Sequence, residues 1–371
     1  MGIKSTLGKS VGGLLRVNRS KDLAGTMGGG AAKDGQLNSK FLTQEPMPPD
    51  PPGITATGGQ STYVYGGKKI HVWTTTGSGS PFNVTNAGAP SNTIEYFIVG
   101  AGGGGGGDSE GDGGGGGAGG VLTGTIPISK GEMTVTVGAG GAAGQSNGAN
   151  GTPGGLSKIS GGGLPPSNPQ LTSSAEIRAW GGGYGGFAGA NGGCGGGAGG
   201  EPPGQKGNAE GYPGPNAMGY PGGNGHLNGG QRAGGGGGGA GGAGEDGAGT
   251  RQGGNGGLGV LIPTTFRDPT NKVGGRSSNS SNDWGFAGGG AGGFQATQGP
   301  GSGGEGGVGP AGSPNAPLFG GGNYSPTAAN PTPNGDGRAG WTNTGGGGGG
   351  GQSPWGGTGG PGFIAIAYTP T

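Results

Sequence analysis

The stretch DSEGDG, Asp108 to Gly113, places carboxylates at Asp108, Glu110 and Asp112, which are the first, third and fifth positions of a calcium loop, with Gly113 at the sixth. The twelfth position, where a bidentate glutamate belongs, is Gly119, and no flanking helix pattern is present. The residues therefore read as a solvated acidic loop tip, with a weak Ca2+ site at Asp108, Glu110 and Asp112 as the alternative, and no metal ligand is assigned. LGKSVGG, Leu7 to Gly13, contains the Gly-Lys-Ser of a phosphate loop, but the opening glycine of that motif falls on Ile3 and no strand precedes it. Gly2 to Thr6 fits the formal N-myristoylation pattern, which is common by chance. His71 in a strand-like run, His226 in a loop and the single cysteine, Cys194, make neither a nucleophilic triad nor a zinc site. Neither catalysis nor a cofactor is expected.

The aromatic residues that interrupt the glycine tracts carry a different kind of chemistry. They are Tyr184, Tyr212, Tyr220, Trp284, Phe286, Tyr324, Trp341 and Trp355. One reading has them packed on glycine faces, sealing the fold. The other exposes some of them as rigid anchors that stack on sugar rings at low entropy cost. On that reading Tyr212, Tyr220, Trp284, Phe286, Tyr324 and Trp341 are the candidate receptor-binding residues.

The elements that must position these residues are unusual. Glycine fills 118 of 371 positions, against a usual share of ~7%. Each glycine fixed in regular structure costs roughly 0.5–1 kcal/mol relative to alanine. Either most of the tracts stay unfolded, or their backbones pack in a way that only glycine permits. Self-repelling disorder fits poorly, because charged residues make up only 10% and the net charge is +1. The same balance offers no basic patch for nucleic acid. The glycines have a period. From Gly235 to Gly259 every third residue is glycine except Thr250, and Gly138, Gly141 and Gly144 repeat the spacing. Three residues per turn is the polyproline-II geometry, which has no internal hydrogen bonds, so its backbone groups must bond to other segments. The register slips and Gly-Gly pairs abound, which argues against collagen. On this reasoning one residue in three, such as Gly241, Gly244 and Gly253, faces a neighbouring backbone, while Ala243 and Asn255 stand out of register.

The fold class expected is mostly β with polyglycine-II helices: a small β platform, glycine-rich excursions packed as a bundle, and a short N-terminal helix. Leu7, Val11, Leu14 and Leu15 share one helical face beside Arg16, marking 1–42 as a docking segment. Residues 43–60 form a proline-rich linker. Residues 61–92 form a hairpin region, with Tyr63–Tyr65 and Ile70–Trp73 flanking a four-residue loop at Gly66 to Lys69. Residues 93–371 are the glycine-rich domain. Val99 to Gly124 reads as an excursion that leaves the platform on Ile94–Val99 and returns at Val121. No signal peptide and no run of ~18 apolar residues stands out, so the chain is expected to stay in the cytoplasm of the producing cell until lysis.

IEYFIVGAGGGGGG, GGGGGAGGVLTGTIPISKGEMTVTVGAGGAAG and the closing GGTGGPGFIAIAYTP resemble the glycine-rich domain of phage tail-fibre and adhesin proteins, over about residues 93–369. The resemblance implies a polyglycine-II bundle whose tip loops contact the host surface. It implies a virion protein, a tail-fibre or spike-tip adhesin, with a decoration or collar appendage as the alternative. Its partners would be other virion proteins through the N-terminal segment and a host glycan or outer-membrane protein. A homo-oligomer, such as a trimer, is expected, and nucleic acid is not.

Overall fold

The computed structural model describes residues 53–79, 81–88, 92–108, 112–145, 148–165, 176–200, 205–210, 217–249, 252–275, 284–294, 306–307, 321–322, 336–351 and 355–370. The described chain is mostly β, in open antiparallel sheets. The strands run β1 (Thr55–Thr57), β2 (Ser61–Tyr65), β3 (Lys68–Trp73), β4 (Gly77–Ser78), β5 (Phe82–Asn86), β6 (Thr93–Val99), β7 (Val121–Pro127), β8 (Gly131–Val137), β9 (Ser157–Gly161), β10 (Glu176–Ala179), β11 (Ala217–Met218), β12 (His226–Asn228), β13 (Gln231–Ala233), β14 (Val260–Leu261), β15 (Gly285–Phe286) and β16 (Phe363–Tyr368). One 3-10 turn, Thr264–Phe266, is the only helical element among the described residues. The expected N-terminal helix, with Leu7, Val11, Leu14, Leu15 and Arg16, lies outside them.

Two large sheets form the base. One has the order β11-β7-β6-β16-β3-β2, and the other β1-β5-β8-β9-β10 with β4 also on β8. The period-two alternation of β6 and β16 explains how they stack. Ile94, Tyr96, Ile98, Ile364, Ile366 and Tyr368 pack with Phe82, Val84, Met133, Val135 and Ile159 of the second sheet. Phe97, Val99, Phe363, Ala365 and Ala367 face the other way, onto Ile262, Phe266 and Phe286. β16 is buried at all six positions because it lies centrally in its sheet and is covered on both faces. The strands before residue 93 belong to these same sheets, and Gly53–Thr371 is one compact unit. The composition breaks at 60 and 92 therefore do not separate packed bodies. The hairpin at Tyr65 is tighter than its sequence suggests: Tyr65 pairs with Lys68, leaving a two-residue turn of Gly66 and Gly67 with φ of 58° and 77°. That is the hairpin turn that only residues tolerant of positive φ can make, so Lys68 and Lys69 are freed to be strand residues.

The sheets run directly into the glycine tracts. Val99 stands opposite Val121 at the end of the β6–β7 ladder. Beyond it the amide of Gly100 donates to Gly120, Gly103 to Gly117 and Gly106 to Gly114, so each step out is matched by an equal step back. The ladder keeps its register while its bonds change from every second residue to every third. β8–β9 continues in the same manner through Ala139–Gly155 and Ala142–Thr152, β9–β10 through Gly154–Gly182 and Gly151–Gly185, and β6–β16 through Gly102–Gly360 and Gly105–Gly357.

Each inner tract bonds to six others. Along 100–107 the amides donate in rotation to carbonyls of 114–120, 149–155 and 357–360. Its carbonyls accept from 141–144, 182–185 and 348–351. Tract 113–120 donates to 180–183, 235–238 and 345–348, and accepts from 100–106, 194–197 and 290–293. No glycine of these two tracts has φ in the left-handed region. They are glycines because a Cβ has nowhere to go. One built on Gly114, Gly115, Gly116, Gly117 or Gly119 would overlap a neighbouring tract's carbonyl group each time.

This corrects the one-in-three expectation. In an inner tract the glycines on all three edges are closed, and only Ala101 and Ala118 find room for a Cβ. In the outer tract 253–257, Cβ atoms on Gly253, Gly254, Gly256 and Gly257 would all meet backbone, and Asn255 takes the remaining half-open edge. Gly241 and Gly244 are closed as expected and Ala243 is exposed. The number of closed edges follows how many neighbours a tract has, which its own sequence does not record.

Buried between the sheets is His71, whose Nδ1 lies 2.7 Å from the Gly58 carbonyl oxygen and whose Nε2 lies 3.0 Å from the Tyr368 hydroxyl. A carbonyl only accepts, so Nδ1 carries the proton, and the neutral ring leaves Nε2 as an acceptor that shares the Tyr368 hydroxyl proton with the Ala56 carbonyl oxygen, 3.2 Å from that hydroxyl. Desolvation, the largest influence, lowers the His71 pKa below its usual 6.5. The unfolded chain then binds a proton more readily than the folded one. Stability is full above about pH 6.5 and falls as the pH drops from there through the folded value. Thermal unfolding of His71→Gln should lack this acid-side slope, and an identical slope would assign it elsewhere. Gly116→Ala should cost about 3 kcal/mol, from overlap with Gly103 and unpaired buried amides. Gly242→Ala, whose nearest neighbour is the flexible Leu258 side chain at 3.3 Å, should change stability by about 0.5 kcal/mol or less in denaturant titrations.

Candidate functional site at the far end of the glycine tracts

The continued registers give every tract residue a level above the sheets. Ala149 bridges Gly107, the last residue of the outgoing tract before Asp108. Carried on to that level, the β9–β10 register sets Phe187 opposite Ala149, and the β6–β16 register sets Trp355 opposite Gly107. Both rings are open to solvent, Phe187 at 41% and Trp355 at 48% exposure. The Phe187 amide donates to Asn150 Oδ1 at 3.0 Å, and its ring covers Gly148, whose φ is 70°. The Trp355 carbonyl accepts from the Gly337 amide at 3.0 Å. Each ring is thus held by a tract that is itself bonded on several sides.

The sequence-chosen aromatics are placed differently. Phe286 is fully buried, with its ring 5.1 Å from Phe97 and 4.8 Å from Phe363, and it is a core residue of the base rather than a surface anchor. Its neighbours Trp284 and Gly285 give the reason: β15 pairs with β14 and closes the outer face of the first sheet. Trp284 packs half-buried against that same core. Trp341 is half-buried, and its carbonyl accepts the Thr344 hydroxyl near the base. Tyr220 is 45% exposed, but on the flank, where its carbonyl accepts from Gly195. Tyr212 and Tyr324 lie outside the described residues. Phe187 and Trp355, the two exposed rings at this level, are not among the candidate receptor-binding residues. Their levels come from pairing with distant strands, which no local pattern announces.

The acidic loop differs from expectation as well. Asp108 and Asp112 are buried, at 7% and 1% exposure, and the backbone at Gly199, Gly200 and Gly234 closes against Asp112. Glu110 lies outside the described residues. Burial pushes the Asp112 carboxyl up to about 8, the adjacent Asp108 adds to the shift, and Arg232 opposes it. Cys194 is fully buried in the base core, and burial raises its thiol to about 12, which makes it unreactive. No group of three or more His, Cys, Asp or Glu side chains that could hold a metal occurs among the described residues.

No curated protein matches this chain. The model of a family described as a glycine-rich domain matches residues 80–317, a span that takes in β6 to β15 and most of the tracts described above. The chain belongs to that glycine-rich domain family.

Proposed function

We propose that the tracts are polyglycine-II helices packed as a bundle, and that the chain is a virion structural protein, a tail-fibre or spike-tip adhesin that binds the host cell surface. The three-residue repeat of the bonds supports the first part. The second part rests on one observation. Two large exposed rings, Phe187 and Trp355, stand at the same far level of a block whose backbone is bonded in all directions. Rigid aromatic anchors on a preorganised support lose little entropy on binding, and they suit a sugar ring or an outer-membrane protein loop. On this reading the N-terminal segment 1–42 attaches the chain to other virion proteins, the chain acts as a homo-oligomer, and it catalyses nothing.

The test uses the full chain, binding to host cells in competition with phage adsorption. Phe187→Ser and Trp355→Ser together should weaken cell binding about tenfold or more with little change in melting temperature. Tyr220→Ser on the flank should leave binding unchanged. Equal binding by the double variant would remove the far end as the contact surface. No competition with adsorption would favour a decoration or collar protein.

A further inference from the structure

The far end holds a second feature that the aromatic pair does not use. Asp108 follows the outgoing tract and Asp112 precedes the returning one. Asp112 is 1% exposed, and neither of its carboxylate oxygens has a hydrogen-bond partner. Its Oδ2 lies 2.9 Å from the point where a Cβ on Gly200 would stand, and the His226 carbonyl oxygen lies 2.8 Å from that same point. The side chain therefore aims inward, between the Gly200 turn and β12, at a place where Gly200 supplies no side chain. Backbone amides meet carbonyls throughout the surrounding tracts, while the Asp108 carboxyl stands within reach of Asp112 and raises its pKa. A buried carboxylate without a donor is costly unless it takes up a proton or something positive joins it, and the raised Asp112 pKa records that cost.

We propose that Asp108 and Asp112 form a binding site for a divalent, oxygen-seeking cation of the calcium class, with the His226 carbonyl as a further oxygen ligand. Calcium accepts carboxylate and backbone carbonyl oxygens in irregular geometry, as this mixture of tracts would supply. The loop template fails at Gly119 because the remaining ligands come from other tracts and not from the loop itself. Arg232 on β13 places an opposing positive charge nearby, so the site is a weak one, filled at ~10⁻³ M calcium.

Equilibrium dialysis and thermal unfolding of the full chain in mildly alkaline buffer test this. Wild type should bind one calcium ion per chain and melt about 2 °C higher in excess calcium than in chelator. Asp112→Asn and Asp108→Asn keep the side-chain shape, should melt in chelator no lower than wild type, and should each lose both effects. Absence of calcium binding by wild type, or binding unchanged in both folded variants, would overturn the proposal.

Discussion

Amides of one glycine tract meet carbonyls of another at 2.7–3.0 Å along the whole of 100–107 and 115–120, and that approach distance governs the rest of the domain. It leaves no space for a Cβ at most positions, so the inner tracts are glycine apart from the buried Ala101 and Ala118. The Cα–H groups then point at neighbouring carbonyl oxygens, a contact of about 0.5–1 kcal/mol each. The exceptions obey the same constraint. Ala118, Cys194, Ala240 and Ala287 occur where tracts adjoin the apolar base, and their small side chains join the core of Phe97, Phe286 and Phe363.

Such packing has a weakness that the sheets remove. A glycine tract has no side chains to distinguish one register from the next, so bonding alone would allow slippage. Here the strands fix the phase. The pairing of β6 with β16 is specified by large residues buried on both faces, and the pairings of β6 with β7 and of β9 with β8 and β10 by the face turned to the core, and the tracts inherit the registers. The base thereby sets the level at which Phe187, Trp355, Asp108 and Asp112 stand.

Much of the base was legible in the sequence. Ile94–Val99, Phe363–Tyr368 and the outward and return paths between Val99 and Val121 follow from apolar alternation broken by glycine. Depth within the glycine block was not legible. The triplet spacing at Gly241 and Gly244 records one closed edge, whereas Gly114 to Gly117 are closed on all edges by segments far away in sequence. Phe286 looks like any aromatic in a glycine run, and its burial comes from its pairing with Val260. Asp112 looks solvated because its local sequence is polar, and the backbone at Gly199, Gly200 and Gly234 closes against it. In each case the missing information is a long-range register.

The central claim is that glycine backbones, bonded segment to segment, form the rigid interior of the domain. Amide hydrogen exchange of the full chain tests it most directly, because protection reports the free energy of opening residue by residue. The account predicts that the amides of Gly102 to Gly106 and Gly115 to Gly119 exchange as slowly as those of β6 and β16, while Gly66, Gly67, Gly229 and Gly230 in the hairpin turns exchange fast. Rapid exchange across both inner tracts, with protection confined to the strands, would contradict it.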